Sequence, residues 1–118
     1  MGRNIREDFK SLPRMQRRVA DLVARHGIEA PVQARLLDLT SEVGELAKEL
    51  LEATKYGRES LVEPPDSWGD ELGDVLFSLV CLANSTDVNL TTALQGALDK
   101  YDERLRRDGD AGSGGRDS

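Results

Sequence analysis

Residues 68–84, W-G-D-E-L-G-D-V-L-F-S-L-V-C-L-A-N, constrain this chain more than any other stretch. Placed on a helix at about 100° per residue, Trp68, Leu72, Val75, Leu76, Leu79, Val80, Leu82 and Ala83 cover one broad side. Phe77 and Cys81 extend the apolar surface further round. The remaining polar residues form one narrow stripe, Ser67, Glu71, Asp74, Ser78 and Ser85, with Asp70 at its edge. A helix apolar on nearly every side belongs in a core. Its carboxylates, Glu71 and Asp74 above all, therefore face the protein interior or a cleft. Burying an unpaired carboxylate costs several kcal/mol, so this pair requires a partner.

Upstream, residues 36–54 read as a second helix, with Leu36, Leu39, Val43, Leu46, Ala47, Leu50 and Leu51 on its apolar side. Glu42 and Glu45 lie one turn apart on one side, and Asp38 and Glu49 extend that acidic stripe. Glu42-x-x-Glu45 and Glu71-x-x-Asp74 make two matched pairs. If the two helices are antiparallel neighbours, four carboxylates converge. Such a cluster repels itself unless it holds hard divalent cations, which prefer oxygen ligands. The competing reading is an internal salt bridge from Glu71 and Asp74 to an Arg or Lys of another helix. Glu45 and Glu49 are candidates for surface ion pairs with Lys48, Arg35 or Lys55. Gly44 and Gly73 each lie between the two acids of a pair. A mid-helix Gly costs about 1 kcal/mol against Ala, so the repeated placement points to close helix approach or ligand access.

The 118 residues make one domain, and an aromatic content of 4% suits helices better than a β-sandwich. A net charge of −6 argues against non-specific nucleic-acid binding, which needs a basic face. It does not exclude a phosphate-bearing small ligand, because a bound metal reverses the local sign. Cys81 is the one cysteine; its apolar surroundings make it a core residue rather than a nucleophile. The longest apolar run falls far short of the ~20 residues a membrane span needs, so no membrane partner is expected and the expected location is cytoplasmic.

Before the acidic helices, Ile5, Phe9 and Leu12 suggest a short helical face. Pro13 suits the first turn of a helix capped by Ser11 or Leu12 and running to about His26, with Gly27 as its C-terminal cap. Arg14, Arg17, Arg18 and Arg25 read as a solvated face. His26, the only histidine, suits the helix dipole better than catalysis. Pro31 opens the next helix, which is expected to continue to about Tyr56 before Gly57. Pro64 and Pro65 interrupt helix, and Asp66 or Ser67 can cap the helix that begins at Trp68. Asn89 or Thr91 caps a last helix through about Arg107, with Leu90, Leu94, Leu98, Tyr101 and Leu105 on its apolar side. The expected domain spans residues 1–107, and 108–118, rich in Gly, Ser and Asp, form a disordered tail. The fold class is all-α, a four-helix bundle-like domain whose very apolar third helix is covered by self-association into a homodimer or homotetramer. A di-iron bundle needs Glu-x-x-His motifs, which are absent, as are a P-loop and a dinucleotide-binding glycine fingerprint.

L-T-S-E-V-G-E-L at 39–46 and D-E-L-G-D-V-L-F at 70–77 resemble the all-α nucleotide pyrophosphohydrolases of the MazG-like type. Their signature is E-x-x-E, a variable connection, then E-x-x-D on the next helix. The similarity continues through C-L-A-N-S at 81–85 and through Lys100, Tyr101 and Arg104, covering residues 12–107. The resemblance implies Mg²⁺-dependent hydrolysis of a nucleoside triphosphate to monophosphate and pyrophosphate, with Mn²⁺ as a possible substitute metal. It implies Glu42, Glu45, Glu71 and Asp74 as catalytic metal ligands, and Lys48, Lys100 and Arg104 as phosphate contacts. Trp68, Phe77 and Asn84 are candidates for the base pocket. Many relatives carry a second acid directly before the first motif glutamate, where this chain has Ser41; Glu45 or Asp38 then stands as the water-activating base. Phosphoribosyl-ATP pyrophosphohydrolase activity is the rival within the fold, and a non-catalytic helical interaction module is the rival outside it.

Overall fold

The computed structural model describes the backbone of residues 5–108 and the side chains from Ser11 onward. Over these residues the chain forms four helices, α1 (Ile5–His26), α2 (Val32–Ala53), α3 (Trp68–Ser85) and α4 (Leu90–Asp108). No strand occurs among the described residues, so the fold is all-α. Of the expected tail, residues 108–118, Asp108 closes α4 and residues 109–118 lie outside the described residues.

α3 is the central element and packs most extensively on α2, less on α1. α4 packs on α1, with no comparable packing against α2 or α3. Val80, Cys81 and Ala83 of α3 are the buried apolar residues among those described, Val80 and Cys81 each 3% exposed. Burial pushes the Cys81 thiol above its ordinary pKa, so it stays protonated, as a core residue should.

Three helices end in one way. After α1, α2 and α3 the second residue beyond the cap donates back over six residues: Ile28 N–H to Val23 (3.1 Å), Tyr56 to Leu51 (2.6 Å), Val88 to Ala83 (2.9 Å). The residue before it is left-handed in each case: Gly27 (φ 60°), Lys55 (φ 50°) and Asp87 (φ 56°). This is the Schellman arrangement. Gly27 takes the expected place. α2, however, stops at Ala53, three residues before the end expected from Gly57, because Lys55 rather than a glycine adopts the reversing conformation.

α1 also corrects an expectation. It begins at Ile5 and contains Pro13 in its interior. A proline removes one helical hydrogen bond, at a cost of about 3 kcal/mol. Leu12, Gln16 and Val19 stay half-buried on one face past that break, so the helix continues. At α4, Asn89 is the cap: its Oδ1 accepts from the N–H groups of Thr91 (2.9 Å) and Thr92 (3.2 Å).

Gln16 ties the helices together. Its Nε2 donates to Asn84 Oδ1 (3.0 Å) and to the Val88 carbonyl (2.9 Å), and its Oε1 accepts from Leu90 N–H (2.9 Å). Asn84 Nδ2 returns a bond to the Gln16 carbonyl (3.0 Å). One side chain thus joins α1 to the end of α3 and the start of α4. Gln16→Ala is expected to lower stability by about 2 kcal/mol, two bonds' worth after solvent rescues the more exposed partners. That corresponds to roughly 8 °C in melting temperature, readable by calorimetry.

Candidate metal centre and active site

Three cross-contacts fix how α2 faces α3. Ser67 Oγ, at the start of α3, donates to Glu49 Oε1 near the end of α2. Glu42 in mid-helix lies beside Glu71 and Asp74. Arg35, near the start of α2, lines a cavity with Cys81 of late α3. Falling numbers on one helix meet rising numbers on the other, so the pair is antiparallel. Ser67, with Asp66 one of the two expected caps of α3, takes the cap position but makes no side-chain capping bond, its hydroxyl donating to Glu49 instead.

The acidic centre is a consequence of this facing. Glu42, Glu71 and Asp74 each offer a carboxylate oxygen, all within 4.8 Å of one another. Glu42 and Glu71 are half-buried and Asp74 is exposed. Among the described residues none of the three forms an ion pair; the cations pair elsewhere, as in Lys55–Glu59 (3.3 Å) and Arg106–Asp102 (2.9 Å). No Arg or Lys among the described residues thus supplies the internal salt bridge that competed with metal binding for this pair.

Glu49 belongs to the same centre. It lies seven residues after Glu42, two turns on with only about 20° of drift. Its Oε2 is buried and meets no donor. The Glu71 pKa is raised, first by partial loss of solvent, then by the charge of Glu49 and a hydrogen bond with it, then by Asp74 and Glu42. Like charges crowded together here disfavour the ionised form of Glu71. A divalent cation fits such a site, because its charge removes that repulsion.

The other sequence-assigned residues fall at varied distances from this centre. Glu45 is exposed and outside the converging group, although its spacing from Glu42 equals that of Asp74 from Glu71. Lys48 is exposed on the same helix. Trp68 is half-buried at the first position of α3, its N–H bonded to the Pro65 carbonyl (3.0 Å). Phe77 lines a groove with Gly73, Met15 and Val19 between α3 and α1. Asn84 is engaged with Gln16 and also borders the Arg35 cavity. Lys100 and Arg104 flank Tyr101 on α4, at 4.9 and 5.8 Å from its ring centre, on the helix that packs against α1. A Cβ added at Gly44 or Gly73 would meet nothing within 4 Å. Close helix approach is thus not their reason, and open space beside the acids is what they provide.

Fold and site together define an all-α protein with an oxygen-rich centre suited to divalent-cation chemistry on an anionic substrate. Residues 31–107 match the MazG nucleotide pyrophosphohydrolase domain, and the chain belongs to this family of hydrolases acting on phosphoanhydride bonds. It is 40% identical over 82 residues to the uncharacterized protein YpjD of Bacillus subtilis (strain 168), covering 68% of this chain and 71% of that protein. Its fold is similar to the crystal structure of the Bacillus-conserved MazG protein, a nucleotide pyrophosphohydrolase. That match has a TM-score of 0.61 and 31% identity over 86% of this chain and 93% of the other.

Proposed function

We propose that this chain is an Mg²⁺-dependent nucleoside triphosphate pyrophosphohydrolase, converting a (deoxy)nucleoside triphosphate and water to the monophosphate and pyrophosphate. The observation that carries the reading is the convergence of Glu42, Glu71 and Asp74 between α2 and α3, with no ion-pair partner among the described residues. Those three side chains would hold the cation, with Mn²⁺ as a workable substitute. The cation supplies charge neutralisation of the triphosphate, polarisation of the phosphorus under attack and a lowered pKa for the attacking water. Glu45 lies one turn from Glu42, outside the converging group, so its carboxylate is free to take the proton of that water. Asp38, also exposed on α2, is the alternative base.

The basic residues act on the phosphates. Lys48 does so from α2 itself. Lys100 and Arg104 are on α4, remote from the packing of α2 on α3, and reach the phosphates from a second copy of the chain. Large apolar residues stand exposed on α2 (Leu37, Leu51), α3 (Leu72, Leu76) and α4 (Leu94, Leu98). A homodimer or homotetramer covers them. No helix among the described residues is long and apolar enough to cross a membrane, in keeping with action on the cytoplasmic nucleotide pool.

Product analysis tests this directly, using ribo- and deoxynucleoside triphosphates and phosphoribosyl-ATP with and without Mg²⁺. Monophosphate plus pyrophosphate, dependent on Mg²⁺, is the expected result. Diphosphate plus phosphate would overturn the reaction class, and turnover of phosphoribosyl-ATP alone would move the substrate class.

A further inference from the structure

The lane between α2 and α3 continues past the acids to a basic end. Arg35 is seven residues before Glu42, on the same line of α2 and about 10 Å along it. Opposite it, Cys81 lies seven residues beyond Asp74. Here a cavity of about 410 Å³ opens between the end of α1, the start of α2 and the end of α3. Val23, Ala24, Pro31 and Val32 give it apolar walls. The Arg35 side chain lines it and is only 8% exposed.

A guanidinium this deeply buried normally faces a carboxylate. Arg35 does not. One nitrogen, Nη2, donates to the Ile28 carbonyl, and no carboxylate among the described residues lies within ion-pair distance. A guanidinium carries five N–H donors, so most of its capacity is uncommitted beside an apolar-walled space. The cavity size falls in the range of small-molecule sites. Its distance from the acidic centre is of the order of that between the phosphate and the base of a nucleotide.

We propose that this cavity is the nucleobase subsite and that Arg35 selects 6-oxopurines by donating to O6 and N7. This rests on the nucleotide reading of the acidic centre. The chemistry separates the bases clearly. Guanine and hypoxanthine present two adjacent acceptors, which match a guanidinium fork. Adenine presents N7 beside an amino group, which sets a donor against a donor. Glu29 lines the same cavity and offers an acceptor for the N1–H that 6-oxopurines carry and adenine lacks. The apolar walls take the ring faces.

The decisive experiment compares GMP and AMP binding by calorimetry, alongside kcat/KM for GTP, ITP and ATP with Mg²⁺. It uses the full chain and the variants Arg35→Lys and Ala24→Trp. The lysine keeps the charge and one donor for the Ile28 carbonyl but loses the fork. The tryptophan fills the cavity from an exposed α1 position and leaves the arginine at position 35 in place. GMP is expected to bind about tenfold or more tighter than AMP, with GTP and ITP preferred over ATP to match. Arg35→Lys should bring both ratios to within about twofold with an unchanged melting temperature. Ala24→Trp should weaken GMP binding at least tenfold. Equal binding of GMP and AMP by the native chain overturns the proposal, as does a preference that survives Arg35→Lys. Absence of turnover on every triphosphate overturns the reaction instead, and the GMP and AMP comparison still decides the cavity.

Discussion

Replacing Glu71 by Gln is expected to remove activity while making the metal-free protein more stable. The two effects have one cause. Glu71 sits where four carboxylates meet, and its raised pKa records the repulsion that Glu49, Asp74 and Glu42 add to partial loss of solvent. An amide of the same shape removes one charge from the cluster. It also brings an N–H within reach of Glu49, whose buried Oε2 has no donor; a buried acceptor left without one is a cost that the variant relieves. The metal-free melting temperature should therefore rise. Metal coordination suffers, because a neutral amide oxygen is a poorer ligand than a carboxylate. Loss of metal-supplied charge stabilisation is worth several kcal/mol, or about three orders of magnitude in rate. Asp74→Asn should lose activity similarly with a smaller gain in stability, since Asp74 is exposed. Glu49→Gln separates the roles: it relieves the repulsion on Glu71 and leaves the three converging carboxylates in place. A Glu71→Gln protein that is stabilised and fully active would remove Glu71 from the metal site.

The helices themselves are legible in the sequence because their apolar spacing is helical and strong. Residues 68–84 anticipate α3 (Trp68–Ser85) to within a residue, since the run is long, free of Pro and leaves its polar residues on one helical stripe. Helix ends are legible only where chemistry marks them. Gly27 announces a left-handed residue; Lys55 and Asp87 adopt the same conformation without any glycine to signal it. Pro13 misleads in the opposite direction, because a proline reads as a start when the face it interrupts is in fact continuous. The acidic motifs are legible as pairs, but which acids converge depends on how two helices face one another. Glu45 falls outside the group although its spacing from Glu42 is that of Asp74 from Glu71, while the seven-residue spacing keeps Glu49 in line with Glu42. Glu49 reads as a surface ion-pair residue because sequence spacing cannot show that Ser67 and Glu71 come from across the interface to meet it. Arg35 likewise reads as a surface partner, and only the loop after α1, whose Ile28 carbonyl it meets, and the end of α3 across the cavity place it inside.

Mg²⁺ should reverse the pH dependence of stability. Without metal, the folded protein holds a proton on Glu71 at pH values where the unfolded chain has released it, because the folded pKa is the higher of the two. The folded state then binds more protons than the unfolded one, so stability falls as pH rises from the ordinary carboxylate range through the raised pKa of Glu71. Below that window both states are protonated, above it both are ionised, and the slope vanishes at each end. A cation demands the ionised carboxylates and competes with that proton. Its stabilising effect must accordingly grow through the same window in which the metal-free protein weakens. At neutral pH and a metal concentration of about a hundred times Kd, the gain is about 2.7 kcal/mol, or roughly 10 °C for a domain of this size. At a pH below the window it should shrink towards zero. Melting curves across pH, with and without Mg²⁺, should diverge as pH increases, and those of Glu71→Gln should lose most of that divergence. Curves that run parallel in the native protein would mean that Mg²⁺ and the Glu71 proton do not compete, and the acidic centre would then not be where the cation binds.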